Sequence, residues 1–329
     1  MESIKRVALA EVHRDEARRL IRSGAIVYVF VNPIENHGPH LPLNTDFMIS
    51  DGLMERIHPV ICQAMPEIPQ TALIYPPLPL GSSPASGVGT VATSYLVLRK
   101  ILRATARSLV GLEAKRVVFL TFHGGPLHNL AIESAVKILS ANGVRALSPL
   151  NLILELMLDY KPGHFREAML AIPNVADREM IDNSLGSDVH GGFFETSLML
   201  SIKSDSVMQD RRNVPDCPAI KPDPAVMFAS KAFHFFGAKR LAKEFAFIAD
   251  AIGWMRLKPF PGYTGYPRLA SREVGDIFVQ DIVDRYVAAL VTTFKGDREA
   301  SLQFTRAPFR WLIALSLFGL LDSAEDFRP

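Results

Sequence analysis

Cysteine is nearly absent from this chain of 329 residues, Cys62 and Cys217 being its only two. Two thiols that far apart make neither a disulfide framework nor a Cys-rich zinc site, and they point to a reducing, cytoplasmic setting. Charge of one sign is lacking as well: 36 Lys and Arg stand against 34 Asp and Glu, with no block of five or more like charges. That balance removes the electrostatic case for nucleic acid or an anionic membrane as the main partner. The longest apolar stretch worth testing as a membrane span, Trp311 to Leu321, has 11 residues. About 20 are needed to cross a bilayer, so the stretch is expected to pack against a neighbouring element or subunit. The first residues become acidic by Glu11 without an uninterrupted apolar core, and no secretory signal is expected. No internal repeat or low-complexity tract stands out.

What remains is the composition of an ordinary globular protein, 48% hydrophobic and 21% charged, with ample chain to bury a core. Its apolar residues alternate between strand and helix patterns. Ala25 to Val31 is a continuous β-branched and aromatic run, as a strand buried on both faces requires. Apolar residues from Phe47 to Ile61 then recur at helical spacing. Ala72 to Tyr75 reads as a short strand and Leu98 to Val110 as a second amphipathic helix. Arg116 to Thr121 is a second buried strand, and Asn129 to Leu139 a helix stopped by Ala141-Asn142-Gly143. This alternation predicts a mostly parallel sheet with helices on both faces. The Pro-dotted stretch Asn213 to Pro224 reads as a long loop, so residues 1–329 are taken as one domain, with a helical extension at about 300–329.

In such sheets ligands sit beyond the carboxyl ends of the strands. Three short segments there carry His and carboxylate together. Glu35-Asn36-His37-Gly38-Pro39-His40 to Asp46 follows the first buried strand, Thr121-Phe122-His123-Gly124-Gly125 the second, and Asp188-Val189-His190-Gly191-Gly192 leads to Glu195-Thr196-Ser197 before an apolar helical run. Imidazole with carboxylate suits Zn, Mn or Fe better than Ca or Mg. Glu195 also has a bland reading, a carboxylate at a helix start favoured by the dipole alone. Together the segments supply donors for two metals, with one Asp able to bridge them, and such a pair can hold a hydroxide that attacks a carbonyl. His40 is either a partner that orients a ligand or a loop His, and His128 is read as exposed or pocket-lining. His13, His58, His164 and His234 fall to surface or packing roles. Phe233-His234-Phe235-Phe236 reads as the opening of a helix, in core or interface.

The run Glu35-x-His37-Gly38-Pro39-His40-Leu41-Pro42-x-x-Thr45-Asp46, the His123-Gly124-Gly125 turn and Asp188-x-His190-x-Gly192-x-x-Glu195-Thr196-Ser197 resemble the creatininase family of metal-dependent amidohydrolases. Gly262-Tyr263-Thr264-Gly265-Tyr266-Pro267 is a weaker echo. The resemblance implies a three-layer α/β/α sandwich and two divalent ions per chain, Zn first with Mn or Fe as alternatives. By that resemblance Glu35 and His123 would ligate one ion, His37 and Glu195 the other, and Asp46 both, with His190 as general acid. It implies hydrolysis of a small cyclic amide, formamide or related C–N bond in a small-molecule substrate, by a homo-oligomer, commonly a hexamer. Alternatives are a cyclic polyol ketone, lactone or short modified peptide as substrate, or a non-catalytic oligomer stabilised by metal. Thr121-Phe122, Pro126, Tyr266 and the short Gly81 to Thr90 loop depart from the family pattern and are expected at the pocket mouth or a subunit contact.

Overall fold

The computed structural model describes residues 4–299. The expected extension at 300–329, with its apolar stretch Trp311 to Leu321, lies outside the described residues. Five strands, β1 (Lys5–Ala8), β2 (Ile26–Phe30), β3 (Thr71–Ile74), β4 (Arg116–Leu120) and β5 (Arg145–Leu147), form one sheet in the order β1-β3-β2-β4-β5. Every pairing is parallel, so every strand delivers its carboxyl end to the same edge. The helices are α1 (Arg14–Arg22), α2 (Thr45–Ala64), α3 (Tyr95–Gly111), α4 (Pro126–Ala141), α5 (Leu150–Leu158), α6 (Arg166–Leu170), α7 (Val175–Ser184), α8 (Phe193–Ile202), α9 (Pro224–Phe235), α10 (Lys239–Met255) and α11 (Arg272–Lys295).

The unbroken apolar run of β2 follows from its central place. Ile26, Tyr28 and Phe30 face one core, with Ile49 and Leu53 of α2, Leu198 of α8 and Phe278 and Ile282 of α11. Val27 and Val29 face the other, with Leu98 and Leu102 of α3 and Ala131 and Ala135 of α4. Alternate residues of one strand thus serve two helical layers, which makes the molecule a three-layer sandwich. Among the described residues no helix is long and apolar enough to cross a membrane.

Two elements differ from the sequence reading. Phe233 to Phe236 closes α9 instead of opening a helix, and Phe235 and Phe236 stand 83% and 79% exposed. α11, absent from that reading, buries Val274, Phe278, Ile282, Tyr286 and Leu290 at four-residue spacing against α8 and α2. Its approach to α8 is so close that a Cβ on Gly275 would lie 1.9 Å from the Ser197 carbonyl oxygen. Gly to Ala in a helix interior ordinarily stabilises by about 1 kcal/mol. Here Gly275→Ala should instead destabilise, by about 1–3 kcal/mol, read as a lowered urea midpoint; an unchanged or raised midpoint would show that the two helices part without cost.

A buried carboxylate–imidazole centre

The loops after β2 and β4 are tied together before they reach the centre. Asn32 donates through Nδ2 to the Leu120 carbonyl, and its Oδ1 accepts the N–H of Phe122 and the hydroxyl of Ser50. This bracket sets Glu35 and His37 beside His123, while Asp46 enters from the first turn of α2 and Glu195 from the first turn of α8. Both carboxylates thus sit where a helix dipole favours negative charge. Asp46 belongs to a helix, whereas the sequence reading placed it on the loop.

Glu35 Oε1 lies 2.8 Å from His123 Nδ1, and Asp46 Oδ2 lies 3.9 Å from the same nitrogen. On the other side His37 Nε2 is 3.4 Å from Asp46 Oδ1 and 3.7 Å from Glu195 Oε2. Donor atoms of Glu35, Asp46 and His123 therefore form one group that could hold an ion, those of His37, Asp46 and Glu195 a second, and Asp46 belongs to both. Glu35, His37 and His190 make a third such group. None of these six residues is more than 8% exposed.

Each imidazole has one nitrogen committed to the backbone. His37 donates through Nδ1 to the Glu35 carbonyl at 3.1 Å, and His123 through Nε2 to the Ser82 carbonyl at 3.0 Å. Those bonds leave the other nitrogen of each ring facing the carboxylates, where it holds either a proton or a cation. Two of the three carboxylates are anchored in the same way: Glu35 Oε2 accepts the Ala85 N–H and Glu195 Oε2 the Gly191 N–H. His37 Nε2 and Asp46 Oδ2 are buried with no hydrogen-bond partner. Unpartnered polar atoms of opposite needs in one dry space are what a cation satisfies. Donor separations of 2.8, 3.4, 3.7 and 3.9 Å are all short enough for two donors to share an ion at bonds of about 2.1 Å, so the residues fit a divalent metal.

His190 stands beside this group. Its ring stacks on His37 with centroids 4.2 Å apart, its Nε2 donates to the Asn36 carbonyl at 2.8 Å, and Trp254 of α10 packs on it at 5.2 Å. Burial and the neighbouring His37 charge push its pKa down to about 3, leaving a neutral ring with Nδ1 as the basic nitrogen. His40 bridges to α8 through Nε2, 2.9 Å from the Gly191 carbonyl and 3.0 Å from Thr196 Oγ1, as a residue that orients Glu195's helix would. His128 is fully buried, not exposed. Its Nε2 bonds Thr121 Oγ1 at 3.1 Å and its ring meets His123 edge-on.

That pair also revises the reading of the departures from the family pattern. Thr121 is an interior prop that accepts the His123 N–H, and Phe122 stacks on Phe194. The Gly81 to Thr90 loop supplies Ser82 O and Ala85 N to the centre. Backbone groups of this kind were beyond sequence reasoning because no residue type marks them.

A parallel α/β sandwich that gathers such a cluster beyond its strand ends has the build of a metal-capable hydrolase. The chain belongs to the creatininase family, whose model, creatinine amidohydrolase, matches residues 10–290. Among curated proteins it is similar to the mycofactocin precursor peptide peptidase of Mycobacterium ulcerans (strain Agy99), 28% identical over 62% of this chain and 68% of that one. The enzyme of the same name from Mycolicibacterium smegmatis (strain ATCC 700084 / mc(2)155) is 29% identical over 59% of this chain and 64% of its own. The chain thus spans about two thirds of the length of these relatives. Solved structures share the fold: a manganese creatininase has a TM-score of 0.58 at 20% identity, over 88% of this chain and 99% of its own. A mutant creatininase of Zn-Zn type has a TM-score of 0.59 at 19% identity with the same coverage.

Protons compete with a cation for the inward nitrogens. Burial opposes charging His37, but the charges of Asp46, Glu35 and Glu195 outweigh it and raise its pKa to about 10. His123 is raised to about 9 against burial by Glu35 and Asp46. Coordination needs both rings neutral, so Zn binding should release protons at pH 7 and tighten as pH rises from 6 to 8. Calorimetry in buffers of different ionisation enthalpy reads this directly; binding with no proton release would show that these nitrogens are not the ligands.

Proposed function

We propose that this chain is a metal-dependent amidohydrolase with two divalent ions per chain, Zn first, bridged by Asp46. Glu35 and His123 complete one site, His37 and Glu195 the other. The observation that carries this reading is the membership of Asp46 in both donor groups, with one oxygen turned toward each. Charge supports it, since three carboxylates buried together need positive charge to be held out of water, which a cation supplies when it displaces the protons of His37 and His123.

Ions held by these residues would supply a nucleophilic water at neutral pH and polarise the substrate carbonyl. The chain's own residues do the rest. Glu35, Asp46 and Glu195 answer that positive charge, and the backbone anchors of Glu35 and Glu195 keep those two from reorganising during the reaction. His190, with Nε2 bound to the Asn36 carbonyl, takes a proton at Nδ1 from the attacking water. It returns that proton to the leaving nitrogen as the C–N bond breaks, giving a carboxylate and an amine. A small cyclic amide or a formamide meets these requirements. A short modified peptide meets them too, and that second reading is favoured by the names of the two curated relatives, which are 28% and 29% identical.

Elemental analysis of protein purified without chelator should find close to two transition-metal ions per chain. Asp46→Ala should lose both, and hydrolysis with them by more than about 100-fold; full activity in a metal-free Asp46→Ala protein would sink the proposal. His190→Ala should keep its metal and lose about 10²–10⁴-fold in kcat, and an undiminished kcat would remove His190 from proton transfer. Mass spectrometry of products from a panel of cyclic amides, formamides and short peptides separates the two substrate readings.

A further inference from the structure

The segment Gly262 to Pro267 supplies none of the proposed ligands, yet it reaches the centre. Thr264, 2% exposed, lies against the backbone of residues 188–190. Its Oγ1 accepts the N–H of Val189 at 3.1 Å and that of His190 at 3.2 Å. Its own N–H donates to the His190 carbonyl at 2.7 Å. Its hydroxyl proton has that same carbonyl at 3.2 Å and Asp188 Oδ1 at 3.5 Å as acceptors. Both backbone polar groups of His190 are therefore taken by a single residue 74 positions further along the chain.

The neighbours of Thr264 extend the hold. Asp188, fully buried, accepts the N–H of Phe193 at the start of α8, so the helix that carries Glu195 and the strap that carries His190 share one anchor. Gly265 turns the chain at φ +61, and a Cβ there would lie 2.7 Å from Asp188 Oδ2. The Tyr263 carbonyl accepts the Nε1–H of Trp254 at 2.8 Å, and Trp254 in turn packs on the His190 ring. The turn fixes the backbone beneath the imidazole and the indole beside it. With both held, the ring keeps Nε2 on the Asn36 carbonyl and its face on His37.

We propose that Thr264 is a positioning residue for His190, its hydroxyl clamping the Val189–His190 backbone so that the imidazole keeps one tautomer and one direction. This deepens the function proposed above and rests on the role given there to His190. Removing the hydroxyl leaves the buried N–H of His190 and the part-buried N–H of Val189 without an acceptor, and the backbone must shift to satisfy them. A shift of about 1 Å at a proton-transfer group costs on the order of 100-fold in rate.

The test compares Thr264→Val, Thr264→Ala and Thr264→Ser in the protein as purified, with 15N NMR of labelled histidine, His190→Gln assigning the signal, alongside metal content and kinetics. Wild type and Thr264→Ser should show His190 as a single Nε2–H tautomer. Thr264→Val and Thr264→Ala should show a tautomer mixture, with kcat lowered about 10- to 100-fold and KM and metal content unchanged. An undisturbed His190 signal and kcat in both hydroxyl-free variants would overturn the proposal. So would Thr264→Ser behaving like them, which would assign the effect to the lost methyl group. Metal loss, or failure to fold, in both Thr264→Val and Thr264→Ala would overturn it too, by giving the hydroxyl to the fold. A wild type that hydrolyses nothing on the panel, with the tautomer pattern as expected, would remove the proposed function and leave the positioning role standing.

Discussion

Three carboxylates and two imidazoles share a space closed to water, and the rest of the architecture follows from keeping them there. A buried carboxylate left alone takes up a proton or draws in solvent. Here Glu35 is held down to about 2, burial being outweighed by His123 and His37, while Glu195 is pushed up to about 8 by burial and by the charge of Asp46. Carboxylates a few ångströms apart are thus driven in opposite directions. That tension is resolved only by positive charge, whether from protons on the imidazoles or from a cation between them. The backbone holds the donors in place for either outcome: Glu35 O and Ser82 O take the outer ring nitrogens of His37 and His123, and Ala85 N and Gly191 N hold the carboxylates of Glu35 and Glu195.

The parallel sheet makes this affordable in chain length. Because all five strands end at one edge, loops after β2 and β4, which are adjacent and paired over five residues, reach the same point without long excursions. Asn32 joins them with bonds to both the Leu120 carbonyl and the Phe122 N–H. Two helices then present their first turns, bringing Asp46 and Glu195 in with the dipole. A shift of either helix would move a carboxylate and an N-terminus together, which is why the packing of α11 against α8 and α2 bears on the chemistry although α11 itself supplies no donor.

The parts of this arrangement that show in the sequence are those with a residue-type signature. Buried strands such as Ala25 to Val31 show because a doubly covered strand must be apolar throughout, and the His and carboxylate segments show because few other roles put those residues beside Gly and Pro. β1 does not show: at a sheet edge, Lys5 and Arg6 are exposed and the four-residue run has no continuous apolar character. β5, with three residues, is too short to carry a period. α11 is long and regular, but its buried stripe is read only once something is known to lie against it. Within the centre, the side chains are legible and their orientation is not. The bonds that choose between Nδ1 and Nε2 run to carbonyl groups that every residue possesses.

The same distinction separates the centre from its surroundings. Two departures from the family pattern are interior once their contacts are known. Thr121 with His128, and Phe122 with Phe194, replace one interior support by another, and they leave the donor atoms where they are. Trp254, which is not among those departures, comes from the α9–α10 pair, which joins the body partly through ion pairs of Arg240 and Lys243 with Glu155 and Asp159. A ring delivered from such a pair sets the wall beside His190, independently of the loops that hold the donors. Under the proposed function, bond-breaking depends on atoms tied to the sheet, and the choice between a small amide and a peptide on what packs over His190.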